Sequence, residues 1–98
     1  MKIKILQSAV KDLYAGRMFY ERQGSGVGEY FFNSLFSDID SLVLYAGIHQ
    51  QTYGFYRLLA KRFPYAIYYK IHENTAIVFR VLDLRQNPNK TSKALRGR

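Results

Sequence analysis

The sequence predicts an α+β fold in which a short N-terminal strand and an αα-hairpin precede a three-strand antiparallel meander that completes one sheet. Apolar residues recur at helical spacing through the first half of the chain. Aromatic and β-branched residues dominate the second half, as is typical of strands. The connections in the second half are only a few residues long, which favours antiparallel neighbours.

Length and composition favour one globular domain over residues 1–98. A chain with 48% hydrophobic residues can form one modest core and is too apolar to be disordered. It contains no cysteine, which excludes disulfides and cysteine-based metal sites. The sequence shows neither an apolar run of about 18 residues nor a signal-peptide pattern after Met1. We therefore expect a cytoplasmic protein without a membrane segment.

The charge of the chain predicts a polyanionic partner. Fifteen Lys and Arg residues against seven Asp and Glu residues give a net charge of +8. Nucleic acid, an acidic protein and an anionic surface are the partner classes that this excess favours. Because the cations lie within predicted strands as well as in the tail, we expect them to form a binding surface.

The first strand and the hairpin occupy the N-terminal half. Lys and Ile alternate over Lys2–Leu6, which predicts a short strand at a sheet edge. Helix one is predicted over Ala9–Gln23 with Ser8 as its N-cap. The glycines of Gly24–Gly28 match no phosphate-binding spacing and predict a helix–helix turn instead. Helix two is predicted over Glu29–Tyr45.

Helix two has two distinct faces, and a loop follows it. Its apolar stripe consists of Phe31, Leu35, Ile39, Leu42 and Ala46, widened by Phe32, Phe36 and Val43. Its solvent side is predicted to carry Ser34, Asp38 and Ser41. The loop Ala46–Gly54 contains His49, which we expect to face solvent. With His72 as the only other histidine, the sequence predicts no metal site.

The meander is predicted as strands Phe55–Arg62, Tyr65–His72 and Thr75–Leu84. Phe63-Pro64 separates the first two strands, and Glu73-Asn74 turns the chain between the last two. Regular alternation places the third strand's only arginine on the same face as two apolar neighbours.

That arginine, Arg80, would share a face with Val78 and Leu82. It is therefore expected either to pair with a carboxylate, for instance from a helix, or to belong to a binding surface. The segment Gln86–Arg98 forms a basic tail that is extended or disordered, or that ends in a short helix around Thr91–Leu95. Deleting the tail from Asn89 onward is expected to leave the core intact, since Leu95 is its only large apolar residue.

Nearly the whole chain resembles the RelE/ParE superfamily of toxins from type II toxin–antitoxin modules. The most specific part is Gly54–Pro88, which contains Arg57 after the glycine and the run Phe63-Pro64-Tyr65-x-Ile67-x-Tyr69. It ends in DLRQNP, where family members carry a His-x-Arg-Arg-x-Pro-like ending. Asp83 holds the histidine position of that ending, Arg85 holds the first arginine position, and Gln86 holds the second.

The resemblance implies one of two activities. RelE-like toxins cleave messenger RNA on the ribosome, whereas ParE-like toxins inhibit DNA gyrase and have no known hydrolytic site. Ala66 stands where the RelE-like branch usually has an arginine, and Asp83, ionised at neutral pH, cannot donate a proton. The sequence therefore favours a ParE-like toxin with no catalytic residue and no cofactor. Growth arrest, plasmid stabilisation and a cognate acidic antitoxin are implied with it.

Two alternatives stay open at this point: a RelE-like, metal-independent endoribonuclease acting on the ribosome, and a non-toxic nucleic-acid or protein-binding module. The candidate residues for a ribonuclease are Arg57, Lys61, Arg80, Asp83 and Arg85, with Tyr68 or Tyr69 as further candidates. The predicted target-binding residues are Arg57, Lys61, Arg62, Arg80, Arg85, Lys90 and Lys93. The chain is expected to act as a homodimer or within a toxin–antitoxin hetero-oligomer.

Overall fold

The computed structural model describes residues 1–96, in which a five-stranded sheet carries a helical hairpin on one face and a short C-terminal helix on the other. This arrangement confirms the predicted α+β fold. In chain order the elements are β1 (Lys2–Ile5), α1 (Gln7–Gln23), α2 (Val27–Asp40), α3 (Leu42–Tyr45), β2 (Gln51–Thr52), β3 (Phe55–Leu59), β4 (Tyr65–His72), β5 (Thr75–Asp83) and α4 (Pro88–Arg96).

The strands lie in the order β1-β5-β4-β3-β2, with β1 parallel to β5 and the other pairs antiparallel. β1 is an edge strand and β4 has the predicted bounds, while β3 ends three residues before the predicted end at Arg62. The short strand β2 was not predicted, because it lies in the segment expected to be a loop. Glu73 and Asn74 both have positive φ, as a two-residue hairpin turn requires.

A bulge in β5 overturns the predicted alternation of its side chains. Tyr68 pairs with Arg80 and Tyr69 pairs with Val78, so Phe79 is an extra residue opposite β4. Val78 consequently packs in the core beneath the hairpin, whereas Leu82 packs on the opposite face. The prediction that Arg80 shares one face with both residues is therefore wrong, because the bulge resets the period of two.

The main core lies between the hairpin and the sheet. Four residues of the predicted stripe of helix two, Phe31, Leu35, Ile39 and Leu42, are buried here against strand residues that include Ile67, Tyr69, Val78 and Val81. Phe32, Phe36 and Ala46 of the stripe are partly buried, whereas Val43 is exposed, so its predicted place in the stripe is wrong. Phe63 and Tyr65, from the family-like run between β3 and β4, pack their rings 5.0 and 4.9 Å from the ring of Phe31. That run therefore has a packing role.

The predicted solvent side of helix two is wrong at two positions. Ser34 and Asp38 are buried. The Asp38 carboxylate accepts the backbone N–H of Lys61 at 3.1 Å, which offsets the cost of burying a charge. Ser41 is half-buried, and its hydroxyl donates to the Asp38 carbonyl at 2.6 Å, where helix two divides into α2 and α3.

The start of α1 also differs from the prediction. The helix begins at Gln7, and Leu6 occupies the N-cap position that was predicted for Ser8. The Ser8 hydroxyl donates to the Phe79 carbonyl at 2.6 Å instead. The hydroxyl therefore bonds to a residue 71 positions away in the chain and does not cap the helix.

Two glycines allow close packing of α1 against α2. A Cβ atom at Gly16 would lie 2.5 Å from ring carbons of Phe31, and one at Gly28 would lie 2.5 Å from the Arg17 carbonyl oxygen. Such distances are shorter than van der Waals contact. Gly16, which weakens the helix by its propensity, is therefore required by the packing of the hairpin.

The basic tail forms α4, which corresponds to the helical alternative predicted around Thr91–Leu95 but is longer. Leu95 is only 2% exposed and joins a second apolar cluster on the outer face of the sheet with Phe55, Ala66, Tyr68 and Leu82. The expectation that tail deletion spares the core is therefore wrong, since losing a buried leucine costs about 2–5 kcal/mol. The predicted tail continues to Arg98, and its last two residues lie outside the described range.

We expect Gly16→Ala to lower the free energy of unfolding, because the added methyl group overlaps the Phe31 ring. Overpacking costs about 1–3 kcal/mol, and the better helix propensity of alanine offsets up to about 1 kcal/mol of it. Denaturant unfolding of Gly16→Ala, Phe31→Leu and the double variant measures this coupling. Gly16→Ala should cost less in the Phe31→Leu background than in the unaltered protein, and equal costs in both backgrounds would contradict the proposed contact.

Candidate functional site

The predicted target-binding cations occupy two regions of the protein. Arg80, Arg85, Lys90 and Lys93 lie around the end of β5 and along α4, and Arg80 and two of the others line clefts there. The remaining three lie on and after β3, which β4 separates from β5, and Arg57 is in the same cross-strand row as Tyr68 and Arg80. Arg57 lies on β3 beside Gln50, Gln51 and Thr52 in a small cleft of about 140 Å³, and Lys61 and Arg62 are exposed in the connection after β3.

The group around β5 is built on an ion pair between Arg80 and Asp12 of α1. Arg80 Nε donates to Asp12 Oδ2 at 2.7 Å and Arg80 Nη2 donates to Oδ1 at 2.9 Å, in a bidentate arrangement. The Val81 backbone N–H donates to the same carboxylate at 2.9 Å. These bonds to Asp12 raise the pKa of the Arg80 guanidinium above its ordinary value. Of the two predicted roles for Arg80, carboxylate pairing is therefore observed.

Asp12 lies beside the part of β5 that β1 is too short to cover. β1 pairs with β5 only as far as Val78, so the edge of β5 is open from Phe79 onward. Ser8 and Asp12, one helical turn apart on α1, bind the Phe79 carbonyl and the Val81 N–H along this edge. This role of Asp12 was not predicted, since no local pattern distinguishes it from a solvent-exposed helical carboxylate.

Asp83 and Arg85 form a second ion pair just beyond β5. Arg85 Nη2 donates to Asp83 Oδ2 at 2.7 Å, and the Arg85 N–H and Nε both donate to Asp83 Oδ1, at 2.8 and 3.0 Å. The hydrogen bond from the Arg85 side chain lowers the pKa of Asp83 below its ordinary value. Asp83 is therefore ionised at neutral pH and cannot act as a general acid. Arg85 also reaches the Tyr20 hydroxyl at 3.2 Å and lies over the Phe19 ring.

Arg80 separates two clefts. The first, about 270 Å³ in volume, lies between α1 and β5, and its lining includes Gly16, Tyr65, Asp83 and Gln86. Burial raises the pKa of Tyr65 to about 12, so its phenol stays protonated at neutral pH. We name the second, about 340 Å³, the α4 cleft; it is lined by Arg80, Leu82, Gln86, Lys90, Lys93 and Ala94.

The first cleft is lined by three titratable side chains besides Arg80, namely Asp12, Tyr65 and Asp83. Arginine stays protonated and cannot serve as a base, and neither cleft is lined by a histidine. Ala66, at the position where RelE-like toxins carry an arginine, is fully buried in the outer apolar cluster. Three of the ribonuclease candidates, Arg57, Lys61 and Arg85, line neither cleft.

His49 is half-buried, so its predicted exposure to solvent is wrong. Its Nδ1 is hydrogen-bonded to the Tyr69 hydroxyl, which also accepts the Gly47 N–H at 2.9 Å. Burial lowers the pKa of His49, which favours the neutral ring, and an unprotonated Nδ1 can accept a hydrogen bond from the Tyr69 hydroxyl. This contact attaches the loop before β2 to the main core.

Among residues 1–96, no three Asp, Glu or His side chains lie close enough to hold a metal ion, and no helix is long and apolar enough to cross a membrane.

Comparison with known proteins supplies a family and a fold. A family model described as the ParE toxin of the type II toxin–antitoxin system parDE matches residues 3–88. A chain in the solved structure of the chromosomal ParDE TA system from P. aeruginosa is similar with a TM-score of 0.73 and 17% sequence identity. The alignment covers 87% of the present chain and 97% of that chain. No match was found among curated proteins.

We expect Asp12→Asn to destabilise the protein by roughly 3 kcal/mol, because the amide is uncharged and its NH2 group would replace an oxygen that accepts a hydrogen bond. Chemical denaturation measures the loss, with Asp40→Asn on an exposed helical carboxylate as the charge-matched control. Replacing both partners, Asp12→Asn with Arg80→Met, should cost less than the sum of the single changes. Additive costs would show that the ion pair contributes nothing to stability.

Proposed function

Since this chain belongs to the ParE family of toxins from type II toxin–antitoxin systems, we propose that it arrests growth by inhibiting DNA gyrase and that a cognate antitoxin neutralises it. Residues 1–98 would act as one toxin domain in the cytoplasm, as a homodimer or within a toxin–antitoxin hetero-oligomer. The observation that carries the choice of gyrase over RNA is the chemistry at the end of β5. Cations gather there, and Asp83, at the family's histidine position, is an ionised carboxylate bonded to Arg85.

A ribonuclease at this position would need to protonate a leaving 5′-oxygen. Asp83 stands at the family's histidine position, and its bonds with Arg85 keep it ionised. Tyr65 is protonated, but the residue is only 7% exposed, so little of it is accessible to a substrate. A binding mode of inhibition requires neither group, so it fits the site better than hydrolysis does.

The target surface in this proposal is the cationic end of the sheet together with α4. Arg80 and Arg85 are both fixed by carboxylates, and the lysines of α4 extend the positive surface from them. The three cations on and after β3, Arg57, Lys61 and Arg62, form a second contact region. An acidic surface of the target would meet both regions through long-range attraction.

The antitoxin in this proposal docks on the exposed face of the hairpin. Four large apolar side chains of α1 and α2 are at least 40% exposed there: Tyr14, Met18, Phe19 and Tyr30. The guanidinium of Arg17 lies 5.0 Å from the centre of the Phe32 ring between them. An acidic segment that folds into an amphipathic helix on binding would cover these rings and pair with the neighbouring cations.

The test of gyrase inhibition compares two reactions with the same preparation of purified toxin. DNA supercoiling by gyrase should stop, whereas messenger RNA on translating ribosomes should stay intact. Arg85→Ala with Lys93→Ala should weaken the inhibition by at least about tenfold, corresponding to 1.4 kcal/mol of binding free energy. Codon-phased cuts in the RNA, with supercoiling unaffected, would contradict the proposal and favour a ribonuclease.

The control for that test is Lys11→Ala with Arg22→Ala. Both residues are exposed on α1 and away from the two clefts, and the double change removes the same charge. This variant should inhibit supercoiling as strongly as the unaltered toxin. Substitutions are used here instead of tail deletion, since deletion would also remove the buried Leu95.

The test of the antitoxin is association of the purified toxin with the product of the neighbouring gene. We expect a complex that weakens as salt is raised, because its charged rim is screened, but that persists through its apolar centre. Met18→Lys should weaken the complex, whereas Lys93→Ala, distant from the hairpin in the chain and on the outer face, should leave it unchanged. Titration calorimetry that detects no binding at low salt would refute the proposed dock.

A further inference from the structure

We infer that the α4 cleft binds a phosphate group of DNA, so that the toxin contacts DNA directly as well as any protein target. This inference deepens the proposed function, on which it rests, because DNA is the substrate that gyrase holds. It assigns a ligand class to a cleft that, among residues 1–96, is lined by three cations, Arg80, Lys90 and Lys93, and by no carboxylate.

The Arg80 guanidinium is oriented before any ligand arrives. Asp12 engages its Nε and Nη2 in a bidentate pair. Within residues 1–96, Nη1 donates to no protein acceptor, and the side chain, 24% exposed, lines the cleft. A fixed arginine with an unused amino group loses little rotamer freedom when it binds an anion, so its contact with a phosphate oxygen is favourable.

The α4 helix carries the two lysines that line this cleft together with Arg80. Its N-terminus is fixed by Asn87, whose side-chain oxygen accepts the Asn89 N–H at 2.8 Å, and by Pro88 at the first helical position. Near its other end, Leu95 is buried in the outer apolar cluster. Both anchors keep α4 against the sheet, so the positions of Lys90 and Lys93 relative to Arg80 are set by packing.

The arrangement of charges favours a chain of phosphates over a single carboxylate. Lys90, Lys93 and Arg96 recur every third residue and are all exposed, so they form a line of positive charge along α4. That line extends over about 9 Å at 1.5 Å per residue, which is longer than one anionic group. The backbone of DNA presents negative charges at regular intervals and matches a line of cations that continues from a cleft.

Carboxylates near the cleft do not compete for these cations. The carboxylate of Asp12 is occupied by Arg80 and the Val81 N–H, and that of Asp83 is occupied by Arg85. Asp12 and Asp83 are therefore balanced by Arg80 and Arg85, which leaves the positive charges of Lys90 and Lys93 in the cleft. An incoming phosphate would meet a positive potential with no carboxylate in the lining to oppose it.

The test measures binding of the full-length toxin, without gyrase, to a short duplex DNA of mixed sequence by fluorescence anisotropy at several salt concentrations. The logarithm of the association constant should fall linearly with the logarithm of salt concentration. Lys90→Ala with Lys93→Ala should reduce the magnitude of this slope by about 2, since about 1 is lost for each phosphate contact. Lys11→Ala with Arg22→Ala, which removes the same charge, should leave the slope nearly unchanged.

Circular dichroism melting of both double variants checks that they are folded, since none of the four side chains is buried. Equal loss of slope in the two variants would overturn the inference, because DNA would then respond only to net charge. The inference would also be overturned if the unaltered toxin did not bind DNA while Lys90→Ala with Lys93→Ala abolished gyrase inhibition. In that outcome the proposed function stands and an acidic segment of gyrase occupies the cleft.

Supercoiling assays on the same samples separate the two proposals. A toxin that binds DNA through Lys90 and Lys93 but does not inhibit gyrase supports the cleft and refutes the proposed function. A toxin that inhibits gyrase without any DNA binding refutes the cleft and supports the proposed function.

Discussion

The carboxylate of Asp12 is the contact on which the functional end of the molecule depends. β5 continues there beyond the end of β1, so the backbone N–H and C=O groups on its open edge need other hydrogen-bond partners. Asp12 binds one of them, the Val81 N–H, and the same two oxygens hold Arg80. One side chain therefore fixes the helical hairpin to the sheet, closes the open strand edge and orients the arginine that separates the two clefts.

Other carboxylates of the chain are used in the same way. Glu21 accepts the backbone N–H groups of Gly26 and Gly28 at the turn between α1 and α2, and these bonds lower its pKa. Asp38 and Asp83 also bind backbone N–H groups, each where a strand connects to the next segment. Hydrogen bonds to ionised groups are stronger than those between neutral groups. These carboxylates are committed to bonds within the protein, and the positive potential of the surface follows from the net charge of +8.

Packing and recognition are joined at α4. The helix carries its cations outward only because Leu95 and Ala94 pack against the outer face of the sheet, beside Leu82 and Tyr68. The bulge at Phe79 contributes to the same surface, since it sends Phe79 and Leu82 to the outer face while Val78 and Val81 enter the main core. Binding residues on this helix therefore cannot be removed by truncation without loss of stability.

The sequence by itself determined the order of the main elements, apart from β2 and the division of helix two, as well as the edge position of β1, the bounds of β4 and the family. These features follow from local periodicity, turn residues and a motif within one stretch of chain, and all of these signals are present in the amino-acid sequence itself. It also identified Asp83 as an ionised group at a position where catalysis would require a proton donor.

Only the tertiary structure decided what Asp12, Asp38 and Leu95 do. Each has a partner far away in the chain, such as Arg80, which lies 68 residues from Asp12. A carboxylate on a helix has the same local sequence signal whether it meets solvent or an open strand edge, and a lone leucine in a basic tail has the same signal whether it is exposed or buried. The folded sheet supplies the missing information, because its unpaired N–H groups and uncovered apolar side chains determine which polar and apolar residues become buried.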